Sequence, residues 1–316
     1  VNNPVWSELL NDVLPGRVEK PRLSGLTMVI DTGLPLGLTR DILEMAAPHI
    51  DFWKFGFGSA SVCPPHAMVN KVALCQEYGI LAYPGGTSLE IAVLQNVWTE
   101  YLDMLWDGGV RVVEVSDGTI TLPLAQRREI IRTARHKGFT VLAEVGKKER
   151  GRYLDGDTMA SLIHQDLTHG AHYVIVEGRE GGKGVGVFQA DGGVKEDAVD
   201  QLLRGLGPMA TRVIWEAPLV EQQIYYLRTF GHKVNLGNIK PLEVIALESL
   251  RRGLRSDTLR EALPASEAAE PSEASDEMVT LPPAASDEVL PRPTLWTQAR
   301  TGMHDERRHR RQRLNG

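Results

Sequence analysis

The chain has 316 residues, 42% of them hydrophobic and 24% charged, with a net charge of −6, which fits a globular protein long enough to bury a sizeable core. The acidic balance gives no electrostatic case for nucleic-acid binding by the folded part, no stretch approaches the roughly 18 uncharged apolar residues of a membrane helix, and Cys63 and Cys75 are too few for a disulfide scaffold or a cysteine metal site. The opening VNNPVWSELL lacks the basic-then-apolar layout of a secretory signal, so a cytoplasmic, reducing location is expected.

Residues 1–23 read as an N-terminal extension. Residues 24–256 then alternate between two patterns. Short apolar, β-rich runs occur at LTMVID, IDFWKFG, ILAYPGG, VRVVEVSDG, TVLAEVGKK, HYVIVEGRE, RVIWEAP and KVNLGN. Between them lie segments with helical spacing of apolar residues, such as TRDILEMAAPHI and PLAQRREIIRTARHKG. Gly79, Gly109, Gly138 and Gly170 each fall just before a strand, where a helix C-cap belongs. Eight strands alternating with about eight helices predict parallel β-structure, and the count and length fit a single (β/α)8 barrel. An open doubly wound sheet fits less well, because no Gly-x-Gly-x-x-Gly follows the first strand. From Asp257 to Gly316 the composition turns to Ala, Ser, Pro and Glu and ends in RRHRRQRLNG, a low-complexity tail expected to be disordered, acidic and then basic.

Barrel enzymes place their chemistry where strands hand over to the following loops. The first predicted strand ends at Asp31, the second at Lys54, and the fourth at Glu114, Ser116 and Asp117. The fifth ends at Glu144 with Lys147 and Lys148, the sixth at Glu177 with Arg179, and the seventh at Glu216. One such charge is ordinarily a solvated strand end; six charged ends on one rim point to a site. Carboxylates converging on one rim repel each other unless a cation stands among them. A hard divalent ion such as Mg²⁺ meets that need, with Glu114, Glu144 and Glu177 as candidate ligands. Lys54, Lys147, Lys148, Arg179 and Lys183 then serve an anionic substrate, and Asp31, Ser116, Asp117 and Glu216 complete the rim.

The loops carry the same theme. YPGGT offers Gly85, Gly86 and Thr87, whose backbone N–H groups can approach an anion. NLGNI, with Asn235, Gly237 and Asn238, is read as the loop after strand eight, where such barrels often bind phosphate. REGGKGVG, Arg179–Gly186, is glycine-rich and cationic, suited to a mobile lid. The histidines show no metal-ligand spacing, and neither Gly-x-Ser-x-Gly nor His-Glu-x-x-His occurs.

The ordered segments DTGLPL, IDFWKFGFGSA, YPGGTSLEIA, VEVSDGTITLPLAQR, AEVGKK, VIVEGREGGKGVG, IWEAPLVEQQ and VNLGNIKPLEVIALESLRRGLR resemble the phosphosulfolactate synthase family from about Thr27 to Asp257. The resemblance implies a Mg²⁺-dependent carbon–sulfur lyase that adds sulfite to phosphoenolpyruvate through an enolate-like intermediate protonated by a lysine. The product is (2R)-phospho-3-sulfolactate, on a route to coenzyme M or sulfolactate. It makes Lys147 of EVGKK the first choice for the general acid, with Lys148 or Lys54 in its place as alternatives. The chain departs from the family at Phe57 and Ser59, where KFGWGT is usual, and at Gly178 and Gly181, where EARESGKG is usual. The expected partners are the two small anions and further copies of the chain in a homo-oligomer. Two other readings are a Schiff-base aldolase using Lys54 or Lys147, and a non-catalytic stress-associated protein on the same scaffold.

Overall fold

A computed structural model describes residues 10–147, 154–179, 181–184 and 186–260. Lys148 and the segment 261–316, to which most of the predicted tail belongs, lie outside the described residues. The elements follow the predicted alternation. Strand β1 (Thr27–Asp31) leads through α1 (Leu36–Ala46) to β2 (Phe52–Phe55), and α2 (Ser59–Val62) and α3 (Pro65–Glu77) lead to β3 (Leu81–Pro84). Helices α4 (Thr87–Leu94) and α5 (Trp98–Asp107) precede β4 (Val112–Val115), α6 (Leu124–His136) precedes β5 (Thr140–Val145), and α7 (Gly156–His169) precedes β6 (Tyr173–Val176). Helix α8 (Glu196–Leu206) leads to β7 (Val213–Glu216), and α9 (Val220–Phe230) to β8 (Asn235–Ile239); α10 (Val244–Arg251) and α11 (Ser256–Leu259) follow.

The strands form one parallel sheet in the order β3-β2-β1-β8-β7-β6-β5-β4, a (β/α)8 barrel that is closed except where β3 meets β4. Those two strands pack together but share no backbone ladder. The helices bury their apolar stripes against the outside of the sheet, and β2, β4, β6 and β7 are buried along their whole lengths. Gly79, Gly109, Gly138 and Gly170 all have positive φ, between 65° and 119°, as helix C-caps ahead of a strand require.

The strand assignments depart from the sequence reading in one place. NLGNI is strand β8 itself, not the loop after it. Its first asparagine is satisfied inside the sheet: the Asn235 amide accepts from Leu26 N (3.1 Å) and donates to the Thr211 and Val213 carbonyls (3.0 Å each). The described structure also continues past residue 257, where the buried Thr258 hydroxyl in α11 donates to the Leu250 carbonyl at 2.8 Å.

Inside the barrel, Phe52 on β2 packs edge-on against both Tyr83 on β3 and Tyr173 on β6, with ring centroids 6.4 Å apart in each case. Strands β2 and β6 are not neighbours in the sheet, so these rings meet across the lumen and fill its lower part. The N-terminal segment covers the adjoining end of the barrel. The Tyr173 hydroxyl donates to the Leu23 carbonyl (3.0 Å), Arg22 pairs with Asp51 (2.9 Å), and Lys20 donates to the Ile50 carbonyl (2.7 Å). Arg17 pairs with Glu248 on α10 at 3.0 Å, and Arg252 reaches the same carboxylate at 2.8 Å.

Burial alone would raise the pKa of Glu248, but the hydrogen bonds and charge of Arg17, aided by His49 and Arg252, bring it down to about 2 from an ordinary 4.5. A carboxyl whose pKa is depressed on folding stabilises the protein above its unfolded pKa and loses that contribution as pH falls through the folded value. Glu248→Gln should therefore cost on the order of 2–3 kcal/mol at pH 7. In melting experiments the gap between variant and parent should narrow below pH 4.5 and close near pH 2; a gap independent of pH would show that the ion pair is not its source.

Candidate active site

The phase of each strand decides which charges enter the lumen. In β2, Lys54 lies two residues beyond the lumen residue Phe52 and shares its face. Its ammonium stands 3.0 Å from Glu114 Oε1 of β4, 3.4 Å from Glu144 Oε2 of β5 and 3.2 Å from Glu216 Oε1 of β7. All four side chains are buried. Burial on its own would lower the Lys54 pKa, but Glu114, Glu216 and Glu144 outweigh it and hold the pKa well above the ordinary lysine value. Lys54 is thus a fixed cation, which leaves the Schiff-base reading at Lys54 without the neutral amine it needs.

Each carboxylate is aimed by further donors. Glu114 accepts from Tyr83 OH (3.0 Å) and from the Gly86 N–H (2.7 Å). Burial first, and Glu114 second, push the Tyr83 pKa well above its usual value, so the phenol keeps the proton it donates. Glu144 accepts from Ser116 Oγ at 2.8 Å, and Glu216 from the Gly178 N–H at 2.9 Å. Glu177 accepts from the Arg179 N–H at 2.6 Å. Two glycines are sterically required. A Cβ on Gly86 would stand 2.4 Å from Ser116 Cβ, and one on Gly146, where φ is 135°, would stand 2.6 Å from Glu177 Cβ.

Lys54 borders a cavity of about 250 Å³ that is lined by the carboxylates Glu114, Glu144, Glu177 and Glu216 and also by Gly85, Gly86, Thr87, Arg179 and Asn238. Ten of the residues expected from the sequence meet there, including Lys54. Other expected residues do not reach it. Asp31 points out of the barrel and is fully engaged by Lys71 Nζ (2.6 Å), Trp53 Nε1 (3.0 Å) and the N–H groups of Gly33 and Leu34 (2.8 and 2.7 Å). Asn235 sits at the start of β8, bonded to the backbone, and Gly237 packs against Met28 and Ile214 inside the sheet. Lys183 is exposed, in a loop that is pinned down: Gln222 donates to the Gly182 and Gly192 carbonyls (2.7 and 2.9 Å), and Phe188 is fully buried. These bonds hold the described part of the predicted lid in place.

Lys147 is partly exposed and is not among the residues that line the cavity; its ammonium stands 2.8 Å from Asp117 Oδ2 and 2.7 Å from the Asp117 carbonyl. Ser116 and Asp117 therefore support the site from behind its wall. Two residues absent from the sequence reading organise this corner. Buried Glu90, on α4, accepts from Thr119 N (3.0 Å) and Ile120 N (3.1 Å), and shares with Glu144 the single hydroxyl hydrogen of Ser116, whose Oγ is 2.7 Å away. Arg127, on α6, pairs with Asp166 (2.7 Å) and reaches both Asp117 Oδ1 (3.3 Å) and the Glu144 carbonyl (3.0 Å).

A model of the (2R)-phospho-3-sulfolactate synthase (ComA) family matches residues 15–257. The chain belongs to this family. It is 41% identical over 247 residues to a phosphosulfolactate synthase from Methanothermobacter thermautotrophicus, covering 78% of this chain and 95% of the relative. It is 43% identical over 236 residues to one from Methanocaldococcus jannaschii, covering 74% and 93%. A phosphosulfolactate synthase from Bacillus subtilis is 34% identical over 247 residues, covering 78% and 96%. The matched span begins inside the predicted N-terminal extension, in the segment that covers the end of the barrel.

Among the described residues no three Asp, Glu, His or Cys side chains are arranged as a ready metal centre, and the Lys54 ammonium stands between the carboxylates. The donor set still fits Mg²⁺, which commonly takes one or two protein carboxylates and completes its shell with water and substrate oxygens. Four carboxylates against Lys54 and Arg179 leave the wall of the cavity net negative.

Removing the central cation would leave three buried carboxylates facing one another. Lys54→Met should lower stability by ~3–5 kcal/mol in denaturant titrations at pH 7. A loss below about 1 kcal/mol, the scale of an exposed pair, would mean that the ammonium is not the counter-charge of the cluster.

Proposed function

We propose that this chain catalyses Mg²⁺-dependent addition of sulfite to phosphoenolpyruvate, giving (2R)-phospho-3-sulfolactate. The observation that carries the reading is the lumen cavity, lined by four buried carboxylates of which three contact one ammonium, in a chain of this family. Two polyanionic substrates would not enter a net negative cavity unless added positive charge offset it. Glu114, Glu144 and Glu177 would hold Mg²⁺, which when bound supplies that charge and stabilises negative charge developing on the substrate carboxylate.

The residues of the chain account for the other steps. The Arg179 guanidinium, on a residue that lines the same cavity, suits the phosphate group. Sulfite sulfur donates its lone pair to the methylene carbon, a C–S bond forms, and the double-bond electrons move toward C2 and its carboxylate. A proton then goes to C2. Lys54 is poorly placed to give it, since its departure would strand three buried carboxylates. Lys147 is the better donor: it is held by one carboxylate and a backbone carbonyl, and its partly exposed ammonium can regain a proton from solvent. Asp117 orients it, and Glu90 and Arg127 fix the turn that carries Asp117.

Two measurements test this reading. The protein supplied with Mg²⁺, sulfite and phosphoenolpyruvate should consume sulfite and form phosphosulfolactate, and EDTA should stop it; no product under those conditions would overturn the assignment. Lys147→Ala should lower kcat by about 10²-fold or more with a small change in KM, as expected on losing a general acid. Full activity in that variant would move the proton-donor role elsewhere.

A further inference from the structure

Four non-glycine residues of the described chain have left-handed backbone: Phe57 (φ 55°), Asn96 (56°), Arg179 (53°) and Asn238 (54°). Three of them, Phe57, Arg179 and Asn238, line the lumen cavity. They follow or end three different strands, β2, β6 and β8, so no shared local motif explains the coincidence. Backbone strain of this kind persists where the surroundings enforce it, and it gathers at ligand sites.

Phe57 is the hardest of the three to explain. Asparagine tolerates the left-handed region, but a bulky aromatic residue there is a true outlier. Its neighbours are Gly56 and Gly58, and Gly58 is itself left-handed at φ 67°; a third glycine would make the same turn without strain. Nor is the ring held by burial, since Phe57 is 58% exposed, and little apolar area is removed from water in return. On the same cavity, Asn238 is 2% exposed and its Oδ1 has no hydrogen-bond partner. A strained, exposed aromatic and an unmatched buried amide on one small cavity are both costs that a bound ligand would offset.

We propose that Phe57 is a substrate-contacting residue whose ring caps the mouth of the cavity. Resting on the function proposed above, the cap packs on the methylene end of a small phosphorylated enol acid, and it keeps bulk water from the carbon that receives the proton. The rest of the lining is dominated by carboxylates, Arg179 and backbone amides, and Ile30 and Phe57 are the residues that can offer apolar side chains to the apolar end of such a ligand; the Phe55 ring faces outward, under Lys71. Asn238 takes a polar group of the same ligand.

The test compares Phe57→Gly and Phe57→Trp with the parent protein in thermal melting, with and without phosphoenolpyruvate plus Mg²⁺, and in steady-state assays. Without ligand, Phe57→Gly should melt at the parent temperature or above it, because glycine adopts this φ freely. Its ligand-induced rise in melting temperature should shrink, and its KM for phosphoenolpyruvate should rise by about tenfold, the scale of one lost apolar contact. Phe57→Trp should keep the KM near the parent value. The cap is overturned if Phe57→Gly melts lower without ligand while KM is unchanged, which marks a structural residue, or if it matches the parent in both ligand-induced shift and KM. Parent protein that is stabilised by phosphoenolpyruvate but consumes no sulfite would refute the reaction, and the same melting series would still decide the cap. Parent protein neither stabilised nor active would refute both.

Discussion

The structure turns on one ammonium placed where the barrel is narrow. Lys54 is buried in the lumen and is reached by carboxylates from three other strands, β4, β5 and β7. An isolated charge there would be expelled or neutralised, and three carboxylates without it would repel one another. Together they fix each other's positions across a space that backbone hydrogen bonds cannot span. The outer donors, Tyr83 OH, Ser116 Oγ and the N–H groups of Gly86 and Gly178, hold the same carboxylates from the other side. Such a cluster adds less to net stability than its many contacts imply; its contribution is to specify one arrangement of side chains at the catalytic end of the fold.

The alternation of apolar β-runs and helical segments made the barrel legible from the sequence, because each strand had to be buried and each helix had to cover it. Charged strand ends made Lys54, Glu114, Glu144, Glu177 and Glu216 legible for the same reason: a buried strand does not end in charge without a partner. The same sign misleads at Asp31. In β1, Ile30 pairs in register with Lys54 and shares its side of the sheet, so Asp31 faces the other way, toward Lys71 on α3. Which residue of a strand end enters the lumen depends on register with the neighbouring strand, and no single strand encodes that.

Other residues were illegible for physical reasons of their own. Glu90 lies on a short helix and looks like a solvated charge, because the groups it binds come 26 to 30 positions later. NLGNI reads as a loop since it carries two asparagines and a glycine, yet Asn235 replaces the missing apolar contact with hydrogen bonds to strands on both sides. The glycines of REGGKGVG signal freedom, but Gln222, distant from that motif, anchors it at the Gly182 carbonyl. In each case the deciding partner is remote in sequence.

The gap between β3 and β4 gives Glu114 a second meaning. The backbone leaves this one seam of the cylinder unstitched, and Glu114, on β4, grips Tyr83 on β3 and Gly86 just beyond it. A side chain that lines the candidate site is therefore also the clasp of the barrel. Parting β3 from β4 means breaking the bonds this carboxylate makes, so the wall of the cavity and the closure of the cylinder share one side chain.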